Sequence, residues 1–130
     1  MQTLGIGVDI IKNSRIKKSI NKKTFLSKIY SQKEILDSKN KKNKVSFFSK
    51  RFAAKEAFSK ALGTGFKYGL NFKDITIINH KNGKPAFKIN SKLNLLIKKK
   101  FKISQFNTFL SLSDEKNYSI AYVIIEKKWT

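Results

Sequence analysis

Carboxylates are scarce in this chain: 8 Asp and Glu residues stand against 29 Lys and Arg, a formal net charge of +21 over 130 residues. Acids kept on so basic a background are the first places to look for chemistry. Asp9 closes the run Gly5-Ile6-Gly7-Val8-Asp9, and Glu56 lies in the alanine-rich stretch Arg51-Phe52-Ala53-Ala54-Lys55-Glu56-Ala57. Together they offer the hard oxygen ligands that Mg²⁺ takes, one or two carboxylates with the rest of the shell left to water and substrate phosphate. Spacing alone equally allows Glu56 an ordinary i,i+4 ion pair with Lys60. Other chemistries lack their parts. The absence of Cys excludes disulfides, thiolate metal sites and a Cys nucleophile. The sole His, His80, reads as a surface residue before a turn, with nothing nearby to build a Ser/His/Asp arrangement on. Gly5 and Gly7 lack the third glycine of a dinucleotide fingerprint, and Gly63 with Gly65 lack a phosphate-loop consensus.

The elements that would carry these residues follow from periodicity. Leu4, Ile6, Val8 and Ile10 alternate with Thr3, Gly5, Gly7 and Asp9, a strand with one apolar face that puts Asp9 on the glycine face, open to close approach by a ligand or another backbone. Asn13 is placed to cap a short basic helix through Ile20, Phe25 to Tyr30 is apolar enough to pack, and Ser31 with Glu34 fits a capping box for a brief helix through Asp37. A solvated lysine-rich loop, Ser38 to Lys44, precedes a helix from Ser46 to Leu62. Its Ala53, Ala54, Ala57, Phe58 and Ala61 form one side, with Lys55, Glu56, Ser59 and Lys60 opposite, and Gly63 stands at its C-terminal cap. Strands at Ile75–Ile78 and Ala86–Ile89 flank a turn with Asn82 and Gly83. A helix capped by Ser91 carries the stripe Leu93, Leu96, Ile97, Phe101, and strands at Thr108–Ser113 and Tyr118–Ile125 end the chain. The order predicts an α+β fold, a small mostly antiparallel sheet packed with one long central helix and shorter ones.

The whole chain, 1–130, reads as a single domain whose 40% hydrophobic residues, 11 Phe among them, supply one core. Its charge favours anionic partners without choosing among them, and the dominance of Lys over Arg, with Ile and Asn abundant, has the look of AT-rich coding drift. No leader pattern and no run of about 18 apolar residues is present, so the expected location is cytoplasmic, away from the membrane.

Gly5-Ile6-Gly7-Val8-Asp9-Ile10, Ser14-Arg15-Ile16 and above all Arg51-Phe52-Ala53-Ala54-Lys55-Glu56-Ala57 through Lys60-Ala61-Leu62-Gly63-Thr64-Gly65 resemble the holo-acyl-carrier-protein synthases, the small single-domain phosphopantetheinyl transferases. The likeness continues through Gly83-Lys84-Pro85, Leu110-Ser111-Leu112-Ser113-Asp114 and Ala121-Tyr122-Val123, collinear from end to end, with the central stretch its specific part. The resemblance implies transfer of phosphopantetheine from coenzyme A to a serine of acyl carrier protein, in fatty acid biosynthesis. It implies Asp9 and Glu56 as ligands of a Mg²⁺ beside the pyrophosphate. Lys60 would contact that pyrophosphate or deprotonate the serine, a water on the ion being the other candidate base. Gly63 and Gly65 would admit the cofactor, Gly83, Lys84 and Pro85 would line its nucleotide side, and Arg15, Lys18 and Lys22 would dock the acidic carrier protein. A homotrimer with active sites between subunits is implied as well. One position departs from the family: Phe109 stands where a histidine usually opens the Leu110-Ser111-Leu112 strand, removing a hydrogen-bonding group and predicting altered cofactor affinity. Two other readings compete: a basic nucleic-acid-binding module, which explains the charge but not the two acids, and a catalytically impaired relative that binds coenzyme A or carrier protein without transfer.

Overall fold

The computed structural model describes residues 2–63 and 69–129. In chain order the elements are β1 (Gln2–Lys12), α1 (Asn13–Ser19), α2 (Lys23–Ile29), α3 (Gln32–Ser38), α4 (Lys44–Leu62), a 3₁₀ turn (Phe72–Asp74), β2 (Ile75–Asn79), β3 (Pro85–Ile89), α5 (Ser91–Phe101), β4 (Phe106–Asp114) and β5 (Tyr118–Lys127). The class is α+β, as the periodicity indicates, but the strands form two antiparallel sheets: a three-stranded one ordered β1-β5-β4 and the separate hairpin β2-β3. Among the described residues no helix is long and apolar enough to cross a membrane.

Helix α4 is the axle of the fold. It packs against β1, β4 and β5 on one side and β2 on another, with α1 and α3 also in contact. Ala53, Ala54, Ala57, Phe58, Ala61 and Leu62 are buried, joined by Ile75, Ile77, Leu93 and Ile97 from beyond it and Ala121, Val123 and Ile125 from β5. Asn43 caps its start by accepting from the Ser46 amide, and Gly63 ends it in the left-handed conformation (φ 79°) that favours glycine.

The polar side assigned to α4 is only partly polar in its surroundings. Lys55 and Ser59 are buried, and only Glu56 and Lys60 reach solvent, because α4 is enclosed on more sides than an amphipathic surface helix.

The apolar face of β1 turns away from α4. Ile6, Val8 and Ile10 are 56%, 51% and 59% exposed, whereas the glycine face lies on α4. A Cβ on Gly7 would sit 1.8 Å from the Ala57 carbonyl oxygen, and one on Gly5 1.9 Å from that of Ala61. Backbone touches backbone there, so glycine opposite alanine is what brings the strand down onto the helix.

Two caps differ from the sequence reading. Lys12, not Asn13, precedes α1. The Asn13 amide instead donates to the Glu115 and Lys116 carbonyls, and its oxygen accepts from the Ser119 hydroxyl, pinning the β4–β5 turn. Helix α5 is capped by Asn90, whose side chain accepts from the Leu93 amide, one residue before Ser91. The Ser31–Glu34 capping box is present at α3.

Candidate active site

Asp9 and Glu56 come together because glycine-on-alanine contact runs the end of β1 along the second half of α4. Glu56, half-buried, has its carboxyl pushed above the ordinary value of 4.5, first by burial and then by the negative charge of Asp9; Lys60 and Arg15 pull the other way. Two acids are thus within electrostatic reach of each other and flanked by two cations. The i,i+4 alternative does not occur: the Lys60 ammonium bonds across to Asp9 Oδ1 at 3.0 Å and to the Val8 carbonyl at 3.0 Å.

The donor set, two carboxylates in electrostatic reach of each other, suits a divalent ion with an incomplete protein shell. An ammonium already sits on the Asp9 carboxylate, so the position attracts cations, and oxygen donors are the only ones offered. Among the described residues no group of three or more His, Cys, Asp and Glu residues gathers as a metal site. Two carboxylates would leave the remaining positions to water and phosphate, as Mg²⁺ sites on phosphate substrates do.

A second feature lies elsewhere on α4. A cleft of about 550 Å³ is walled by Lys41, Lys42, Lys50, Arg51, His80 and Lys81, with Gly83 and Leu112 also lining it. Arg51 is buried over the Phe47 ring, 3.6 Å from its centroid, and donates to Asn79 Oδ1 at 2.7 Å; Asn79 in turn donates to the Gly83 carbonyl. The guanidinium therefore holds the glycine turn, while its Nε has no hydrogen-bond partner among the described residues. A cleft lined by four lysines and an arginine is suited to an anion. His80, read from sequence as a plain surface residue, is exposed and forms part of this wall. Neither Arg51 nor the cleft lysines stand among the site residues picked from sequence; the Asn79 that orients Arg51 lies 28 positions away, on β2.

Of the other predicted residues, Gly83 lines the cleft at φ 89°, Lys84 is exposed in the same turn and Pro85 opens β3. Gly63 is the α4 cap, and Gly65 lies outside the described residues. Arg15, Lys18 and Lys22 are all exposed, the first two on α1 and the third just before α2. Phe109 stands on the outer face of β4, 45% exposed and opposite Ile124. Sequence reasoning also missed a stack of half-buried rings, Phe25 on Phe52 at 6.4 Å and Phe52 on Phe72 at 5.7 Å, with Phe52 one turn before Glu56.

Comparison with known proteins agrees with this architecture. Residues 5–123 match the family model of the 4'-phosphopantetheinyl transferase superfamily, and the chain belongs to that family. A holo-[acyl-carrier-protein] synthase of Pelagibacter ubique is 61% identical over 98% of this chain and all of the relative; another, from Ruthia magnifica, is 44% identical over 94% and 95%. The crystal structure of the Neisseria meningitidis holo-[acyl-carrier-protein] synthase superposes with a TM-score of 0.87 at 35% identity, covering 96% of this chain and 99% of that one. The Bacillus anthracis synthase in complex with CoA (3',5'-ADP) does so with a TM-score of 0.81 at 32% identity, covering 98% and 100%.

Proposed function

We propose that this chain is a holo-acyl-carrier-protein synthase that uses Mg²⁺, transferring phosphopantetheine from coenzyme A to a serine of acyl carrier protein in the cytoplasm, in fatty acid biosynthesis. The observation that carries the reading is the pairing of Asp9 with Glu56 beside Lys60, in a family of phosphopantetheinyl transferases. In the reaction the serine oxygen bonds to the pantetheine-bearing phosphorus as the pyrophosphate bridge breaks, 3',5'-ADP leaves and the serine proton passes to a base. Asp9 and Glu56 would hold Mg²⁺, which would neutralise the pyrophosphate charge. The Lys60 side chain, more than half exposed, is able to turn from Asp9 toward a phosphate oxygen.

The cleft around Arg51 supports the nucleotide end of coenzyme A, with Gly63, Gly83, Lys84 and Pro85 beside the cofactor. Arg51 and Glu56 are five residues apart, about 140° around the helix, so within one subunit the acids and the basic cleft face different ways. An active site between subunits resolves this, one chain giving the acids and its neighbour the cleft. The exposed face formed by Ile6, Val8, Ile10, Phe109, Ile120 and Tyr122 is the kind of apolar patch that marks an interface, and it supports a homotrimer built on the three-stranded sheet. Phe109 lies on that same apolar face. For the carrier protein, Arg15, Lys18 and Lys22 offer charge, and the Phe25–Phe52–Phe72 stack beside Glu56 offers apolar contact.

The test is conversion of apo to holo carrier protein, followed by mass, with coenzyme A and Mg²⁺. Wild type should convert and Glu56→Gln should not; retained transfer by the variant would remove the metal assignment.

A further inference from the structure

Lys55 and Glu34 form an ion pair with both side chains fully buried, Nζ to Oε1 at 2.7 Å. The ammonium also donates to the Phe72 carbonyl at 3.0 Å and to the Ile75 carbonyl, so its three protons meet three acceptors. Glu34 in turn accepts from the Ser31 amide and hydroxyl and, through Oε2, from the Ile77 amide at 3.3 Å. One closed network thus ties α4 to α3, the 3₁₀ turn and β2. On α4, Lys55 and Ala57 lie two residues apart, about 200° around the helix, and Glu56 lies between them. Ala57 is seated on Gly7 and Lys55 is seated on Glu34, so the helix is stopped against rotation from both sides of the acid.

We propose that the Glu34–Lys55 pair is a positioning device for the transfer site: by fixing the rotation of α4 it sets the aim of Glu56 at the ion shared with Asp9. Side-chain atoms lie roughly 5–6 Å from a helix axis, so a 10° rotation moves the carboxylate by about 1 Å. Misplacement of that size costs roughly 10²-fold in rate. This inference rests on the metal reading above and adds to it two residues that touch neither substrate nor ion.

The experiment replaces the pair by neutral side chains of similar length, Glu34→Gln with Lys55→Met, and titrates Mn²⁺ against the protein with coenzyme A by electron paramagnetic resonance. The double variant should unfold cooperatively and bind coenzyme A, yet hold Mn²⁺ about tenfold more weakly, with kcat reduced by ten- to a hundredfold and KM for carrier protein unchanged. Glu34→Asp, which keeps both charges while drawing the carboxylate back, should shift Mn²⁺ affinity in the same direction and provides the test if the double variant does not fold. Wild-type Mn²⁺ affinity and kcat in a folded variant would overturn the proposal and leave the pair a matter of stability. Absence of Mn²⁺ binding by the wild type would overturn the metal reading itself, and this inference with it.

Discussion

Gly7→Ala places a methyl group where no room exists. Its carbon would lie 1.8 Å from the Ala57 carbonyl oxygen, 2.8 Å from the carbonyl carbon and 2.8 Å from the Ala61 amide nitrogen, all backbone atoms that no rotamer change can move aside. A tolerable C···O contact is about 3.3 Å, so β1 and α4 must part locally by about 1.5 Å. Overpacking of this kind costs about 1–3 kcal/mol, and an all-backbone contact belongs at the upper end, about 3 kcal/mol. Asp9 is two residues further along the same face, so the separation is transmitted to its distance from Glu56, and a shift above 1 Å corresponds to about a hundredfold loss of rate. Urea unfolding measures the first quantity and single-turnover conversion of carrier protein the second. Gly5→Ala is the internal comparison: its Cβ would meet the Ala61 oxygen at 1.9 Å, but it lies four residues from Asp9. It should match Gly7→Ala in stability loss and fall short of it in lost turnover. Stability within about 0.5 kcal/mol of wild type together with wild-type turnover in Gly7→Ala would refute the claim that this contact positions the acid.

Three further outcomes are expected. Because the Glu56 carboxyl titrates above its ordinary 4.5, the native state holds a proton that the unfolded chain has lost, and stability falls as pH rises through the window starting near 4.5; Glu56→Gln should lose transfer yet become more stable relative to wild type above that window, as paired urea titrations across pH would show. Val8→Asp, on the exposed face of β1, should shift the sedimentation coefficient from that of the proposed trimer toward a monomer and abolish transfer without unfolding the chain. Arg51→Lys, which gives up the planar donors beside Asn79 and Phe47, should weaken coenzyme A binding about tenfold by calorimetry while leaving carrier-protein affinity alone.

Local elements were legible because local rules set them. The Ser31–Glu34 box, the glycine cap of α4 and the stripe of α5 each depend on residues a few positions apart, and alternation located β1. Periodicity does not say which face of a strand meets a helix: β1 shows its isoleucines outward because glycine allows the other face to touch α4. The two acids were visible as outliers in composition, but their meeting is a tertiary fact, and so is the choice by Lys60 of Asp9 over Glu56. Lys55 illustrates the limit best. Its lysine type argues for solvent, and the distant Glu34, the Tyr30 ring and two carbonyls beyond position 70 account for its burial.

Asp9 and Glu56 should serve one ion, and a double-mutant cycle on the rate of apo-to-holo conversion at saturating Mg²⁺ tests that directly. Residues that act as a unit are strongly non-additive, so Asp9→Asn, Glu56→Gln and the double variant should be impaired to about the same degree. Losses that multiply in the double variant would mean that the two carboxylates act independently.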